Sequence, residues 1–206
     1  MDRKRVGILV FPNVEVLDFC GPFEVFSIAR LNEERRREEP SPFEVVVVAE
    51  REGVVTATGG LKVVPDFTID DCPPLDVLVV PGGWGTRAEM TNERLVAWIA
   101  ERGRAVETLT SVCSGAMLLG RAGLLEDRRA TTHWGWLELM QETFPDVTVV
   151  SDEHVVTDGR VLTSAGVSAG IDLALLVVAR YWGEAVARAA ARRMEYPFPD
   201  DNRRRV

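Results

Sequence analysis

The chain has 206 residues, of which 46% are hydrophobic and 27% are charged, a balance typical of a globular protein. This composition excludes disordered, collagen-like and low-complexity chains, and the length predicts one compact domain over residues 1–206. The formal net charge of −8 argues against direct binding to nucleic acid or to an anionic membrane surface, because both carry negative charge.

Neither a membrane span nor a metal site is indicated by the residue pattern. No window approaches the roughly 18 apolar residues that a spanning helix needs, and the first residues do not resemble a signal peptide. The three cysteines, Cys20, Cys72 and Cys113, lack the spacing of metal ligands, and their odd number does not suggest a disulfide framework. We therefore expect a protein of the reducing cytoplasm without a metal site.

Apolar, strand-like runs alternate with helix-like segments along the whole chain. The runs are rich in valine, as are strands buried on both faces, and the alternation predicts an α/β fold with a mainly parallel sheet. An Asp-Gly turn and a Gly-Gly pair predict two inserted β-hairpins. In chain order we predict a strand at 6–11, a helix at 23–32, a strand at 43–49, a hairpin at 53–64, a strand at 76–80, a helix at 92–101 capped by Thr91, a strand at 105–109, a hairpin at 155–163, and helices at 169–182 and 184–193.

The segment around Cys113 is the first candidate for chemistry. A strand pattern precedes Cys113, and a helix of small residues begins just after it, which is the strand–turn–helix arrangement that presents a nucleophile. The positive end of the helix dipole predicts a pKa well below the value of about 8.5 for a free thiol. Alternatively, Cys113 is a small buried apolar side chain, as many free cysteines are.

Two loops that follow predicted strands are further candidates. The segment Pro81-Gly82-Gly83-Trp84-Gly85 can bring backbone N–H groups close to a ligand or an oxyanion, although a plain tight turn needs glycines too. Asp18 lies among apolar residues, where a carboxyl group needs a partner or changes its pKa. The alternative is that Asp18 caps the N-terminus of a helix.

Five motifs occur in order along the chain: LDFCGPFE at 17–24, PGG at 81–83, SVCSG at 111–115, RATTHW at 129–134 and TSAGVSAGID at 163–172. This set resembles the DJ-1/PfpI superfamily over nearly the whole chain. Within it, the first and fourth motifs are most similar to those of isonitrile (isocyanide) hydratases and of the amidotransferase-like sensor domain of AraC-type regulators. The resemblance implies a flavodoxin-like three-layer sandwich and, in most members, a homodimer.

The resemblance also implies roles for individual residues. Cys113 would be the nucleophile, with the Asp18 carboxyl group hydrogen-bonded to its sulfur. The backbone N–H groups of Gly83 and Ser114 would form an oxyanion-type hole, and Gly166 would line the pocket. His133 would lie close to the site or pack at the dimer interface.

Two departures from the superfamily's patterns narrow the chemistry. Ser114 stands where the hydratases carry threonine, which keeps the hydroxyl group and removes a methyl group from the pocket. No histidine follows Cys113 directly, as it would in PfpI-type proteases, and the His-x-Glu pair of class I glutaminases is missing because the only histidines are His133 and His154. Peptidase and glutaminase activities therefore lose their base.

The expected function is the hydration of an isocyanide. A thiolate on Cys113 can add to the terminal carbon if an acid supplies a proton, and Asp18 completes that pair. Water oriented by Asp18 would then release an N-substituted formamide, with no metal or organic cofactor required. The alternatives are a non-catalytic small-molecule sensor, redox sensing, and hydration of an α-oxoaldehyde. The expected partners are a small electrophile and a second copy of the chain, with Trp134 and Trp136 as candidates for the contact.

Overall fold

Valine-rich runs of the chain form a central sheet in the computed structural model, which describes residues 2–205. The β-strands of this part of the chain are β1 (Lys4–Val10), β2 (Phe43–Ala49), β3 (Val55–Thr56), β4 (Lys62–Val63), β5 (Phe67–Thr68), β6 (Val77–Val80), β7 (Thr108–Val112), β8 (Arg129–Ala130), β9 (Thr148–Val149), β10 (Val155–Asp158) and β11 (Val161–Ser164). The α-helices are α1 (Val16–Ile28), α2 (Thr86–Glu89), α3 (Glu93–Ala105), α4 (Gly115–Arg121), α5 (Leu137–Thr143), α6 (Ala169–Trp182) and α7 (Glu184–Arg193).

The main sheet has seven strands in the order β10-β11-β7-β6-β1-β2-β5. All neighbouring strands are parallel except β10, which is antiparallel to β11. Every residue of β6 and β7 is buried. Strands covered on both faces favour apolar side chains at successive positions, which explains the sequence VLVV of β6, whereas β7 buries two threonines and a serine among its apolar residues.

Helices cover both faces of this sheet. The chain moves from β1 through α1 to β2 in one direction across the sheet, and from β6 through α3 to β7 in the other. Right-handed crossovers therefore put α1 and α3 on opposite faces. Helices α6 and α7 pack with α1, whereas α4 packs with α2 and α3. This three-layer α/β sandwich, with a mainly parallel sheet, confirms the predicted fold class.

Both predicted hairpins are present. Strands β3 and β4 pair antiparallel, as do β10 and β11, and Gly159 of the Asp-Gly turn has φ 59°. Helices α6 and α7 have the predicted bounds.

Helix α1 begins at Val16, seven residues before the predicted start at 23. The pair Gly21-Pro22 was expected to precede the helix, but the structure places Pro22 inside it. The helix is instead capped by Glu15, whose side chain accepts the N–H of Val16 at 3.2 Å. The alternative role of Asp18 as the N-cap is therefore wrong: Asp18 lies in the first turn and is buried.

The boundary between α3 and β7 also differs from the prediction. Asn92, not Thr91, caps α3 and accepts the N–H of Leu95 at 3.2 Å. The helix continues through Ala105, so that β7 occupies 108–112 rather than 105–109. As a result, β7 ends immediately before Cys113.

The order of strands creates a crevice at one edge of the sheet. The chain passes from β1 to β2 on one side and later returns to β6 on the other side of β1. Ligands of open α/β sheets bind at such a switch point, outside the carboxyl ends of the strands. The segments after β1, β6 and β7 meet there. Within residues 2–205, no helix has the length and apolar character needed to cross a bilayer.

Candidate functional site

Cys113 lies on a strained turn between β7 and α4. Its φ of 57° is in the left-handed region, which is uncommon for a residue with a side chain. The turn is held on both sides, since the N–H of Cys113 donates to the carbonyl of Ala165 at 3.1 Å and its own carbonyl accepts the hydroxyl of Thr132 at 2.8 Å. The side chain is 7% exposed. This is the geometry of a nucleophile presented at the start of a helix.

The backbone N–H groups of Ser114 and Val167 and the Ser114 hydroxyl lie close to the sulfur of Cys113 and favour its thiolate form. Val167 has φ 51°, also in the left-handed region. A β-branched residue there is a conformational outlier, and such strain is characteristic of functional sites. Val167 could not be identified as a site residue from the sequence, because a motif does not reveal the backbone conformation.

Asp18 faces this thiol from the first turn of α1. Its side chain is fully buried, its Oδ2 accepts the N–H of Gly82 at 2.9 Å, and its carboxyl group interacts with the Cys113 thiol. Within residues 2–205, Oδ1 has no partner at ordinary hydrogen-bond geometry. The structure thus brings together the two residues predicted to do the chemistry.

Burial raises the pKa of both groups. Loss of solvent raises the pKa of the Asp18 carboxyl from 3.8 to about 7, with a further contribution from the charge of Glu15. Loss of solvent and the neighbouring Asp18 charge raise the pKa of the Cys113 thiol to about 12. The expectation of a lowered thiol pKa is therefore wrong, since the N–H groups that favour the thiolate do not offset these two effects. Above pH 7 the pair holds one proton.

The two backbone groups expected to form an oxyanion-type hole already have acceptors. The N–H of Gly83 donates to the Ser114 hydroxyl oxygen at 3.0 Å, and the N–H of Ser114 lies close to the sulfur of Cys113. The Ser114 hydroxyl also lies 2.9 Å from that of Thr86. Gly83 has φ 129°, and a Cβ there would lie 2.4 Å from the backbone nitrogen of Glu15. Its N–H becomes available to a ligand only if the Ser114 hydroxyl turns away.

A cavity of about 260 Å³ opens beside Cys113 and has an aromatic wall. Trp84 and Trp134 are 69% and 63% exposed, whereas Trp136 is buried. The Arg87 guanidinium lies 5.2 Å from the ring centre of Trp84 and 4.4 Å from that of Trp136, within the range of cation–π attraction. The cavity is lined by Glu15, Gly83, Trp84, Arg87, Cys113, Ser114, His133, Trp134, Gly135, Trp136 and Val167.

His133 lines this cavity, and Gly166 packs against the His133 ring. The Nδ1 atom of His133 accepts the N–H of Gly135 at 3.1 Å. Burial and the charge of Arg204 lower the pKa of the imidazole. A Cβ on Gly166 would lie 2.2 Å from the His133 ring, so only glycine lets the ring take this position. The expectation that Gly166 lines the pocket is thus corrected: its neighbour Val167 does so.

Several residues of the cavity were not singled out in the sequence. Glu15 and Arg87 lie at the start of α1 and in the short helix α2, and nothing in their spacing indicates a shared site. Trp84 belongs to the predicted glycine-rich loop, but the sequence assigned no role to its side chain. Within residues 2–205, no group of three or more His, Cys, Asp or Glu side chains is arranged to hold a metal ion.

Comparison with known proteins places this site in a family. The model of the DJ-1/PfpI family matches residues 4–180. Isonitrile hydratase from Pseudomonas putida is 37% identical over 196 residues, covering 95% of this chain and 80% of the hydratase. The HTH-type transcriptional regulator GbdR from Pseudomonas aeruginosa is 34% identical over 142 residues, covering 69% of this chain and only 38% of the regulator.

A solved structure gives the same result. The crystal structure of a ThiJ/PfpI family protein from Pseudomonas syringae superimposes with a TM-score of 0.83 at 34% identity, covering 98% of this chain and 79% of that protein. The match therefore includes the sheet, both helical layers and the loops that form the cavity. The chain belongs to the DJ-1/PfpI family.

Proposed function

We propose that the protein is a cysteine-dependent hydratase that adds water to an isocyanide and releases an N-substituted formamide. The observation that carries this proposal is the buried pair formed by Cys113, which lines the cavity, and the Asp18 carboxyl group behind it. The 37% identity to isonitrile hydratase from Pseudomonas putida supports the choice of substrate.

The first step forms a thioimidate. The carboxylate of Asp18 takes the proton of the Cys113 thiol as the sulfur bonds to the terminal carbon of the isocyanide. Asp18 then gives this proton to the same carbon, which leaves a carbon–nitrogen double bond and a carbon–sulfur bond. The pair needs one proton for this exchange, and a carboxyl pKa of about 7 suits a group that both takes and gives a proton near neutral pH.

The second step consumes water. Asp18 takes a proton from a water molecule as the water oxygen adds to the thioimidate carbon, and then gives this proton to the nitrogen. The carbon–sulfur bond breaks, the carbonyl group of the formamide forms, and the hydroxyl proton returns to the sulfur. Thiol and carboxylate are thereby restored, so that the net reaction is the addition of one water molecule.

The cavity suits a small substrate with an apolar substituent on nitrogen. Its volume of about 260 Å³ is at the small end of ligand sites. The indole rings of Trp84 and Trp134 offer apolar surface for that substituent, while the reacting carbon lies at the sulfur. We therefore expect compact alkyl or cycloalkyl isocyanides to be accepted.

The experiment is an assay of formamide release from cyclohexyl isocyanide. The wild-type protein, Asp18→Asn and Cys113→Ala are compared by chromatography under identical conditions. We expect turnover in the wild type, none with Cys113→Ala, and a loss on the order of 10²-fold or more with Asp18→Asn, because asparagine cannot transfer a proton. Equal rates for wild type and Asp18→Asn contradict the assigned role.

The second candidate is a non-catalytic sensor of small molecules. It is favoured by the 34% identity to a transcriptional regulator, although this chain spans only 38% of that protein. A sensor needs the cavity but not the proton transfer. It predicts that Asp18→Asn still binds the ligand, as measured by the fluorescence of Trp84 and Trp134, and that the wild type forms no formamide.

The protein's proposed partner is a second copy of itself. Trp134 is 63% exposed beside the cavity and provides apolar surface for a symmetric contact. The expectation that Trp136 shares in this contact is wrong, because that side chain is 9% exposed and lies under Arg87. A contact at Trp134 would also narrow the mouth of the cavity.

A further inference from the structure

A segment near the end of the described chain adds to the exposed edge of the sheet. We name the segment Asn202–Arg205 the C-terminal strap. The carbonyl of Asn202 accepts the N–H of His154 at 2.7 Å, and its side chain exchanges two hydrogen bonds of 2.8 Å with the backbone of Val155 in β10. The N–H of Arg204 donates to the carbonyl of Asp152 at 2.8 Å. These bonds fix the strap along one strand.

One route of hydrogen bonds leads from the strap to Cys113 through Arg204. Its Nη2 donates to the hydroxyl of Thr131 and, at 3.0 Å, to the carbonyl of Thr132. Both threonines are fully buried. The hydroxyl of Thr132 in turn donates to the carbonyl of Cys113 at 2.8 Å. A single residue therefore separates the guanidinium from the strained turn.

A second route reaches the other side of the same turn. His154, which donates to Asn202, accepts the N–H of Ala165 at 2.9 Å. The carbonyl of Ala165 then accepts the N–H of Cys113 at 3.1 Å. Both backbone polar groups of Cys113 are thus connected to the strap, the carbonyl through Thr132 and the N–H through Ala165 and His154. A residue at φ 57° stays in place only when its surroundings fix it in this way.

The burial of Arg204 is costly for stability alone. Its Nε and Nη1 atoms are buried without a hydrogen-bond partner within residues 2–205, and burial lowers the pKa of the guanidinium. Unsatisfied donors of a charged group oppose folding. The same side chain contacts the Thr131-Thr132 segment that leads into His133 of the cavity. The position of Arg204 is therefore explained by its contacts beside the cavity and not by a gain in the stability of the core.

We propose that Arg204 is a positioning residue for the nucleophile: through Thr132 it holds the backbone turn that aims the sulfur of Cys113. The inference rests on the proposed role of Cys113 as nucleophile, but not on the identity of the substrate. Loosening the turn moves the sulfur away from the N–H groups of Ser114 and Val167 that favour the thiolate, which lowers the fraction of thiolate. The binding of substrate to the aromatic wall is left unchanged.

The experiment compares Arg204→Gln with Arg203→Gln as a matched control. Both variants remove one positive charge from the strap, but the Arg203 side chain is exposed and makes no hydrogen bond or ion pair within the described part of the chain. Two measurements are made on each variant. The first gives kcat and KM for an isocyanide, and the second gives the rate at which iodoacetamide alkylates Cys113, followed by mass spectrometry of the Cys113 peptide. We expect Arg204→Gln to lower kcat and the alkylation rate about tenfold with KM changed less than threefold, and Arg203→Gln to behave as wild type.

A double-variant cycle tests the route itself. Thr132→Val removes the hydroxyl group that bonds to Cys113 and keeps the shape of the side chain. Because both side chains act through one connection, the effects of Arg204→Gln and Thr132→Val on alkylation must be non-additive. Arg204→Lys, which keeps the charge and a donor, serves as a second variant if the glutamine form does not fold, and we expect an intermediate rate.

Three results separate the possible outcomes. A lower melting temperature of Arg204→Gln with kcat and alkylation unchanged shows a merely structural role and overturns the inference. Additive effects in the cycle overturn the route through Thr132. If the wild type releases no formamide, the hydratase proposal fails, and the alkylation rates alone decide the role of Arg204.

Discussion

The backbone N–H of Val167 lies close to the sulfur of Cys113, and both residues hold left-handed backbone conformations, with φ values of 51° and 57°. Such conformations cost on the order of 1–3 kcal/mol each in residues with side chains. Two loops that lie more than fifty positions apart in the sequence are therefore both strained where they meet. This cost is consistent with a turn maintained for reactivity.

Replacing Cys113 by glycine tests the strain directly. Glycine adopts a φ of 57° without the steric cost that alanine meets there. We expect Cys113→Gly to be more stable than Cys113→Ala by about 1 kcal/mol, the reverse of the usual order of the two residues. Urea denaturation of both variants measures the difference. A less stable glycine variant contradicts the strain.

The raised pKa of Asp18 predicts how stability changes with pH. The unfolded chain ionises this carboxyl near 3.8 and the folded chain near 7, so between these values the folded state binds the extra proton. The contribution of Asp18 to the free energy of unfolding therefore falls as the pH rises from about 4 to 7, by about 1.4 kcal/mol per pH unit. Asp18→Asn removes this penalty.

The comparison of wild type and Asp18→Asn isolates this one group, because all other titrating groups are shared. We expect the two proteins to be similarly stable near pH 4 and the variant to be more stable by a few kcal/mol at pH 8. Denaturation curves at both pH values give the difference. A variant that is less stable at pH 8 shows that ionised Asp18 is stabilised by its surroundings.

The same pKa predicts the pH dependence of the reaction. Below pH 7 both Asp18 and Cys113 are protonated, and the carboxyl group cannot accept the thiol proton. We expect kcat/KM to rise about tenfold per pH unit up to about pH 7 and then to level off. The residual activity of Asp18→Asn lacks this rise. A rate that falls as the pH rises through 7 shows that the protonated carboxyl group is the active form, which contradicts its role as acceptor of the thiol proton.

The proposed dimer predicts a particle of twice the mass of one chain in light scattering at micromolar concentration. Trp134→Glu places a charge on the exposed apolar surface and is expected to shift the equilibrium toward the monomer. The exposed Leu31, away from the cavity, supplies the control Leu31→Glu, which leaves the mass unchanged. A monomeric wild type contradicts the proposal.

The sheet and the last two helices could be predicted because their patterns are local. Runs of valine identify buried strands, and the apolar periodicity of α6 and α7 sets their bounds. The start of α1 could not be predicted in this way, because proline is most often found in the first turn of a helix, whereas Pro22 lies inside α1. The packing of α1 against α6 holds the helix together around that residue.

The residues of the candidate site that carry out the chemistry could be predicted, because they lie in recognisable sequence motifs. Cys113 and Asp18 were identified, but the direction of the thiol pKa was not, since a sequence shows the adjacent helix and not the depth of burial. Val167 and Arg204 could not be identified from the sequence for a similar reason. Their contribution depends on a backbone angle in one case and on a contact across 72 positions in the other.

The most direct test of the account is the detection of the covalent intermediate on Cys113. The wild-type protein is mixed with an isocyanide, quenched in acid and digested, and the Cys113 peptide is analysed by mass spectrometry beside that of Asp18→Asn. The account predicts a mass increase equal to one whole isocyanide molecule on Cys113, formed more slowly in Asp18→Asn because Asp18 moves the proton in both steps, together with N-substituted formamide in solution. Formamide produced without any adduct on Cys113, or at an equal rate by Cys113→Ala, contradicts it.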